Sequence, residues 1–285
     1  MKMQSVSVLT DTLFQNGFIC SGASHEDGIV GKLESPAAKK APDWKICQWA
    51  TKCNICKGAY SSKTTGYSYK TDSQLVSVSW EKEKPILTLE LLASKEYDSP
   101  RIGWQPWPHL LIEQSFVRDK FPPLGELLSL ILNFDFRIPW FRRMMDNPDN
   151  SLHTAQANIF FTVNSMKNED MFWFGVPAFD VRYRHIANFQ AEDTGKDDAS
   201  HKYIYLAAQD NFTNKSAHDG EIIEYEKDLL PLIKGGLRDA AKAKFLLSDD
   251  ISEYAVTSCN IGFEMPGTFD ASFEIYRLGL EAVKR

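Results

Sequence analysis

The chain lacks the features that mark several large classes of protein. No apolar run approaches the roughly 20 residues of a membrane-spanning helix, and the start, MKMQSVSVLTDTLF, has no apolar core of signal-peptide length. Its 32 Lys and Arg are outnumbered by 38 Asp and Glu, which gives a net charge of -6. Without a basic footprint, we expect it to bind neither nucleic acid nor an anionic membrane. We expect a cytoplasmic protein, or an extracellular one if a leader has been removed.

Several catalytic signatures are also missing. The sequence has no phosphate-binding Gly-rich loop, no dinucleotide fingerprint, no His-Glu-x-x-His and no Gly-x-Ser-x-Gly. These absences argue against nucleotide-dependent enzymes and against serine esterases of the α/β-hydrolase type. The six histidines are widely scattered, so a cupin-like metal enzyme is a remote alternative.

Cysteine is scarce, with five residues in the chain. Cys53-Asn54-Ile55-Cys56 could form half of a zinc site or a redox pair, and Cys47 lies nearby. A zinc site needs a second ligand pair, which the sequence does not supply, and a redox motif normally opens a helix in a βαβ unit. We expect structural thiols or a local disulfide, and no metal.

The composition is that of an ordinary globular protein, with 43% hydrophobic, 25% charged and 12% aromatic residues. A length of 285 residues is compatible with one all-β domain, so we predict a single domain over 1–285. The stretch from Gly17 to Pro42 is rich in Gly, Ser, Ala, Lys and Pro, which predicts a loop-rich N-terminal arm over residues 1–42.

Alternation of apolar and polar residues dominates the rest of the chain. The clearest case runs from Leu128 to Ile138, where six apolar side chains fall on one face of a strand. Other segments have the same strand-like character: Gln74–Trp80, Pro85–Leu92, Ala157–Val163, Met171–Phe174, Phe179–His185, Lys202–Ala207, Thr257–Phe263 and Thr268–Leu278. The pattern predicts a mostly β fold, an antiparallel two-sheet sandwich of the jelly-roll type.

One segment has helical spacing instead. Between Tyr225 and Leu247, apolar residues recur every three or four positions. Pro231 is tolerated only in the first turn of a helix, so the helix is expected to begin near Leu229 or Leu230 and to end near Leu247. We therefore predict one long helix inserted near the C-terminus of the sandwich.

The most unusual stretch is IGWQPWPHLLIEQ, from Ile102 to Gln114. Trp104 and Trp107 precede a strand in which His109 and Glu113 share a face. Pyranose rings stack on indole, and polar side chains can then bind the hydroxyl groups. This pattern suggests a sugar site with Trp104, Trp107 and Gln114 as ligand-binding residues, although a buried aromatic corner with a satisfied histidine is the structural alternative.

Three carboxylates lie beside aromatic residues in strand contexts. Glycoside hydrolysis requires a carboxylate pair, so we nominate Glu113, Asp180 and Glu264, with His109, as candidate catalytic residues. Asp180 and Arg182 are predicted to share a strand face, where Arg182 would contact the ligand or form an ion pair with Asp180.

The segment AEDTGKDDASHK, from Ala191 to Lys202, groups Glu192, Asp193, Asp197 and Asp198 around a glycine. Such a cluster can ligate calcium, but the spacing does not match an EF-hand loop. A solvated loop is the simpler interpretation. We expect no cofactor, with calcium left open as the alternative.

The C-terminal segment NIGFEMPGTFDASFEIYRLGLE, from Asn260 to Glu281, resembles the closing strands of jelly-roll domains that bind or cleave sugars. The resemblance implies a carbohydrate-handling sandwich that binds an oligo- or polysaccharide over one sheet face. Whether it also cleaves the glycan, as a glycoside hydrolase or polysaccharide lyase, stays open. The alternative is a structural or interaction jelly roll that acts through oligomer assembly, without catalysis.

Overall fold

The computed structural model describes residues 5–82, 84–116, 121, 123–197 and 199–284. Within these residues the chain forms seventeen strands and two α-helices, together with short 3-10 turns. The strands are β1 Ser5–Ser7, β2 Phe18–Ser21, β3 Ile29–Leu33, β4 Trp44–Cys47, β5 Ala59–Lys63, β6 Gly66–Lys70, β7 Gln74–Glu81, β8 Lys84–Leu92, β9 His109–Ser115, β10 Leu127–Arg143, β11 Gln156–Ser165, β12 Met171–Asp180, β13 Phe189–Glu192, β14 Tyr203–Leu206, β15 Ile223–Asp228, β16 Tyr254–Glu264 and β17 Phe269–Lys284. The helices are α1 Ala93–Glu96 and α2 Leu230–Lys242.

The strands form two sheets with the hydrophobic core between them. The first sheet has the order β15-β10-β17-β8-β7-β6-β5, with β1 paired to β17. The second has the order β13-β14-β12-β11-β16-β9-β4-β2-β3. Most pairs are antiparallel, but β12 pairs with β14 and β2 with β4 in parallel. The predicted mostly β, two-sheet sandwich is confirmed, with mixed rather than purely antiparallel pairing.

Strand β10 shows how the alternating pattern builds the core. Leu130, Leu132, Phe134, Phe136 and Ile138 are buried between the sheets, as the period of two predicts. Leu128, predicted to lie on the same face, is instead 49% exposed. The pairing with β17 slips between 127 and 129, and such an irregularity turns the next side chain to the other face.

The predicted helix is shorter than its pattern suggested. Tyr225 is buried in strand β15, which pairs with β10, and the helix α2 begins only at Leu230. Pro231 lies in its first turn, as predicted. The helix ends at Lys242, and Lys244 then takes a positive φ of 67°, which stops helical propagation before Leu247. A helix to Leu247 is therefore wrong by about one turn.

Helix α2 packs on the second sheet at Gly236. A Cβ at Gly236 would lie 2.7 Å from the ring of Phe172 and 3.2 Å from that of Tyr205. The missing side chain lets the helix backbone approach strands β12 and β14 closely. The helix thus covers part of the sheet on its core side and leaves the opposite face open.

One other predicted segment differs from the structure. Strand β12 ends at Asp180, and a turn closed by the bridge from Asp180 to Tyr183 follows, so a strand from Phe179 to His185 is wrong. The predicted N-terminal arm contributes the strands β1, β2 and β3 to the two sheets.

All five cysteines are free thiols, and Cys20, Cys47 and Cys259 are buried. A local disulfide is therefore not formed. Among the described residues, no helix combines the length and the apolarity that crossing a lipid bilayer demands.

Candidate functional site

A cleft of about 1020 Å³ lies on the outer face of the second sheet, opposite the core. Its floor comes from β9, β16, β11 and β12, and loops near 101–107, 151–154, 182–188 and 193–200 form its walls. Along β9, Leu110 and Ile112 enter the core while His109, Leu111 and Glu113 line the cleft. The alternation of the strand therefore produces the face that the sequence predicted.

The strand register arranges the floor in rows. One row holds His109, Glu264, Gln156 and Asp180, each directly opposite the next on the neighbouring strand. Because strands lie about 4.8 Å apart, Glu264 and Asp180 are roughly 10 Å apart at their backbones, with Gln156 between them. Glu113 lies four residues along β9 from His109, which is about 13 Å further along the sheet.

Glu264 is the central carboxylate of this row. Its side chain is 22% exposed, and its Oε2 accepts a hydrogen bond from Trp107 Nε1 at 3.1 Å and lies 3.5 Å from His109 Nε2. Burial alone would raise the pKa of Glu264, but the His109 hydrogen bond, the charge of His109 and that of Lys196 lower it to about 2. Glu264 is therefore ionised at neutral pH, the form in which a carboxylate can act as a base.

His109 is buried within a row of aromatic rings. Its ring centroid lies 6.0 Å from Trp107 in a stacked arrangement and 5.6 Å from Trp49 in an edge-on one, and His25 lies 4.2 Å beyond Trp49. Its Nδ1 is buried without a hydrogen-bond partner among the described residues. The imidazole is thus fixed by packing, with one nitrogen directed at Glu264.

Trp107 is engaged on its π-system as well as on its N–H. The guanidinium carbon of Arg101 lies 4.7 Å from the ring centroid, and Lys196 Nζ lies 5.0 Å from it. Cations over indole rings are attracted by the ring quadrupole. Two cations and one carboxylate therefore hold Trp107 in place, which favours a role in orienting Glu264.

Arg101 joins the loops that form one end of the cleft. It is buried, and its guanidinium donates to the backbone carbonyls of Gln105 at 2.6 Å, Leu152 at 3.2 Å and Gly195 at 3.1 Å. Its own carbonyl lies 2.7 Å from His153 Nε2. These contacts make three separate loops into one wall beside Trp107.

Asp180 is held by a two-pronged ion pair. Arg182 Nε lies 2.9 Å from Asp180 Oδ1 and Arg182 Nη2 lies 2.6 Å from Oδ2, while Thr154 Oγ1 donates to Oδ1 at 2.9 Å. The Asp180 side chain is 8% exposed. Arg184, two residues beyond Arg182, pairs instead with Asp219 at 2.5 Å. Asp180 and Arg182 line the cleft, but mainly contact each other.

Glu113 and Gln114 point in opposite directions from β9. Glu113 lines the cleft and forms an ion pair with Lys45, on the adjacent strand β4. Gln114 is buried on the other face, where its Oε1 accepts from the Thr10 N–H at 2.8 Å and its Nε2 donates to the Thr10 carbonyl at 3.0 Å. The structure therefore places Gln114 outside the cleft, where its hydrogen bonds to Thr10 hold the N-terminal segment against β9.

The cleft also contains aromatic residues that sequence reasoning missed. Trp104 and Trp107 were nominated, but Trp49 and Trp173 line the same cleft. Trp173 Nε1 donates to Ser200 Oγ at 2.9 Å. Trp49 follows β4, and the backbone amide of His109 donates to its carbonyl. Trp173 lies within a predicted strand, so its alternation could have flagged it, whereas the pairing of β4 with β9 was needed to bring Trp49 to His109.

The acidic segment forms one rim of the cleft. Glu192 lies 2.9 Å from His201 Nδ1, and Asp193 accepts hydrogen bonds from Ser200. Across the described part of the chain, which does not include Asp198, no group of three or more His, Cys, Asp or Glu side chains is arranged to hold a metal ion. These acidic side chains are instead tied into local hydrogen bonds.

No family model matches the chain, and no curated protein sequence matches it. Among solved structures, it is similar to a family 12 xyloglucanase from Bacillus licheniformis, with 8% identity, a TM-score of 0.43, and 80% of this chain and 98% of that chain covered. The Trichoderma harzianum endoglucanase 3 of family GH12 has 8% identity and a TM-score of 0.42, covering 99% and 98%. The family 11 xylanase of Neocallimastix patriciarum has 8% identity and a TM-score of 0.41, covering 79% and 94%.

Proposed function

We propose that the protein binds an oligosaccharide or polysaccharide chain in the cleft on the second sheet. The observation that carries this proposal is the combination, in one open cleft, of four tryptophans with an ionised Glu264. Aromatic rings supply apolar surface with a fixed orientation, and a few polar groups then select the ligand. A sugar chain presents both C–H faces and hydroxyl groups, and so matches both kinds of surface.

Trp104 and Trp107 have different roles in this proposal: one stacks on the sugar and the other positions Glu264. Trp107 already contacts Arg101, Lys196 and Glu264, so its part is to hold the carboxylate. Trp104 is 63% exposed at the edge of the cleft and offers a free indole surface. We therefore assign the first stacking position to Trp104, with Trp107 behind it.

Hydrolysis of the bound glycan is the second candidate function. An ionised carboxylate beside the sugar is the base or nucleophile that hydrolysis needs, and Asp180, roughly 10 Å away at the backbone, is the second carboxylate of the same row. Asp180, however, accepts hydrogen bonds from Arg182 and Thr154. Those contacts already use both of its carboxylate oxygens, so the geometry supports binding better than cleavage.

A glycan array, followed by titration calorimetry of the strongest hits, tests the proposal. We expect wild-type protein to bind at least one glycan, and Glu264→Gln to weaken that binding. Glu274→Gln serves as the matched control, because Glu274 forms an ion pair with Arg137 on the first sheet, away from the cleft. Equal binding by wild type and Glu264→Gln would remove Glu264 from the site.

Incubation of the same glycans with the protein separates the two candidates. Release of reducing ends that is lost in both Glu264→Gln and Asp180→Asn would establish a hydrolase that uses both carboxylates. Unsaturated products would indicate a lyase instead. Binding without turnover indicates a lectin-like protein. Silence on the array, together with a stable oligomer in light scattering, would favour the structural jelly-roll alternative.

A further inference from the structure

Asn158 lies in the middle of the cleft floor, in the row next to Glu264. On the two neighbouring strands its direct partners are Gly262 and Pro177, neither of which carries a side-chain hydrogen-bonding group. The next residues of β11 on the same face are Gln156 and Phe160, and both line the cleft. The two cross-strand neighbours of Asn158 therefore offer its carboxamide no side-chain partner.

The side-chain oxygen of Asn158 is buried and has no hydrogen-bond partner among the described residues. The whole residue is only 6% exposed, yet it lines the cleft. Most buried polar groups in proteins are paired, because an unpaired one costs free energy. A half-turn about the terminal torsion exchanges its oxygen and nitrogen, so the carboxamide can offer a ligand either an acceptor or a donor.

Gly262 leaves room above this position. Its φ is +147°, and a Cβ there would lie 2.3 Å from the Leu110 carbonyl oxygen, so a larger residue would clash with β9. Glycine is therefore required by the backbone. Its consequence for the cleft is a floor with no side chain between Leu111 and Asn158, where a sugar ring beside Glu264 would lie closest to the sheet.

We infer that Asn158 determines the specificity of the cleft by hydrogen bonding one hydroxyl group of the sugar ring beside Glu264. This inference rests on the proposed function, because it requires that the ligand be a glycan. The Asn158 oxygen has no protein partner, and a half-turn of the carboxamide lets that oxygen accept a hydrogen bond from the sugar hydroxyl. A ring without a hydroxyl at that position leaves the carboxamide unpaired in the complex, and so binds more weakly.

The test compares wild type with Asn158→Leu, using hexasaccharides of β-1,4-linked glucose, xylose and mannose as probes. We expect wild type to discriminate between its best and worst probe by about tenfold or more. In Asn158→Leu the preferred probe should bind about tenfold more weakly, so that the discrimination collapses. The stability of the sugar-free protein should increase rather than decrease. We expect the Tm of Asn158→Leu to be about 2 °C above that of wild type, because leucine removes the unpaired polar group.

Two further variants serve as controls. Asn158→Ala covers the case in which leucine disturbs the sheet, and it should also lose discrimination. Asn214→Ala, at an exposed position that does not line the cleft, should change neither affinity nor Tm. Unchanged discrimination in both Asn158 variants would overturn the inference and leave the proposed function standing. If wild type binds none of the three probes, the inference fails, while the wider glycan array still decides the proposed function.

Discussion

The outer faces of the two sheets are built by the same alternation but carry different chemistry. On the first sheet, charged residues form pairs across strands: Arg277 with Asp135 at 2.8 Å and Arg137 with Glu274 at 2.6 Å. On the second sheet, Glu264 contacts an indole N–H and an imidazole instead of a guanidinium. On the first face these four charges neutralise one another in pairs, whereas on the second face Glu264 stays ionised beside aromatic rings.

Loops account for much of this difference. The tryptophans Trp49, Trp104 and Trp107 all follow or precede strands of the second sheet, and Arg101 ties three loops into a wall at its end. Binding residues are commonly held in loops on a rigid scaffold. A period of two therefore predicts which face of the sheet a residue occupies, whereas the loops determine whether that face becomes a cleft.

The largest expected effect concerns the ion pairs of the two faces. Asp180→Ala removes the partner of Arg182 from a pair in which the Asp180 side chain is 8% exposed, and should lower the free energy of unfolding by about 3 kcal/mol. Asp135→Ala, in the pair with Arg277 on the first sheet, should cost under about 1 kcal/mol. Urea denaturation of both variants measures the two values. Equal losses would show that the pairs are energetically alike, and would remove this difference between the faces.

The second effect is a pH dependence of opposite sign on the two sheets. The lowered pKa of Glu264, about 2, means that this group stabilises the fold above its unfolded pKa near 4.5 and loses that contribution as pH falls toward 2. Wild type should therefore exceed Glu264→Gln in stability at pH 7 by about 2–3 kcal/mol, and the gap should narrow between pH 5 and 3. Denaturation curves across that range measure it.

Glu90 on the first sheet provides the contrast. Burial raises its pKa, with Lys70 opposing and Asp270 adding to the shift. A raised pKa gives stability that is present below the unfolded pKa and is lost as pH rises through the folded one. Glu90→Gln should therefore gain on wild type as pH rises, the reverse of Glu264→Gln. The same slope in both variants would contradict this assignment of the two carboxylates.

Much of this arrangement follows from local sequence. The alternation from Leu128 to Ile138 located β10, and the stretch around His109 predicted a strand face with Glu113 on it. Local pattern cannot locate a bulge, which is why Leu128 was assigned to the wrong face. It also extended the strand past Asp180, because the turn there depends on the contacts of Asp180 with Arg182 and Tyr183.

The candidate site depends on long-range register, which no local pattern contains. Glu264 and His109 are 155 positions apart in the chain and become direct neighbours only through the pairing of β16 with β9. The sequence does not single out Asn158, because an asparagine in a strand indicates a binding residue only when its cross-strand neighbours are known. Its neighbours, Gly262 and Pro177, come from two other strands.

The smallest expected effect is on glycan affinity, and it distinguishes a tryptophan that stacks on the sugar in the cleft from a tryptophan elsewhere. Trp104→Ala should weaken glycan binding by about 1–2 kcal/mol, a roughly 5- to 30-fold change, because the exposed indole contributes apolar contact area to the sugar. Its stability should barely change, since the side chain is 63% exposed in the free protein. Trp140→Ala, on β10 of the first sheet, is the matched control: it removes the same side chain outside the cleft. Calorimetric titration of both variants with the same glycan gives the comparison. If Trp140→Ala weakens binding as much as Trp104→Ala, the loss of affinity comes from a general effect on the fold and not from stacking by Trp104. The two sheet faces would then not differ in glycan binding.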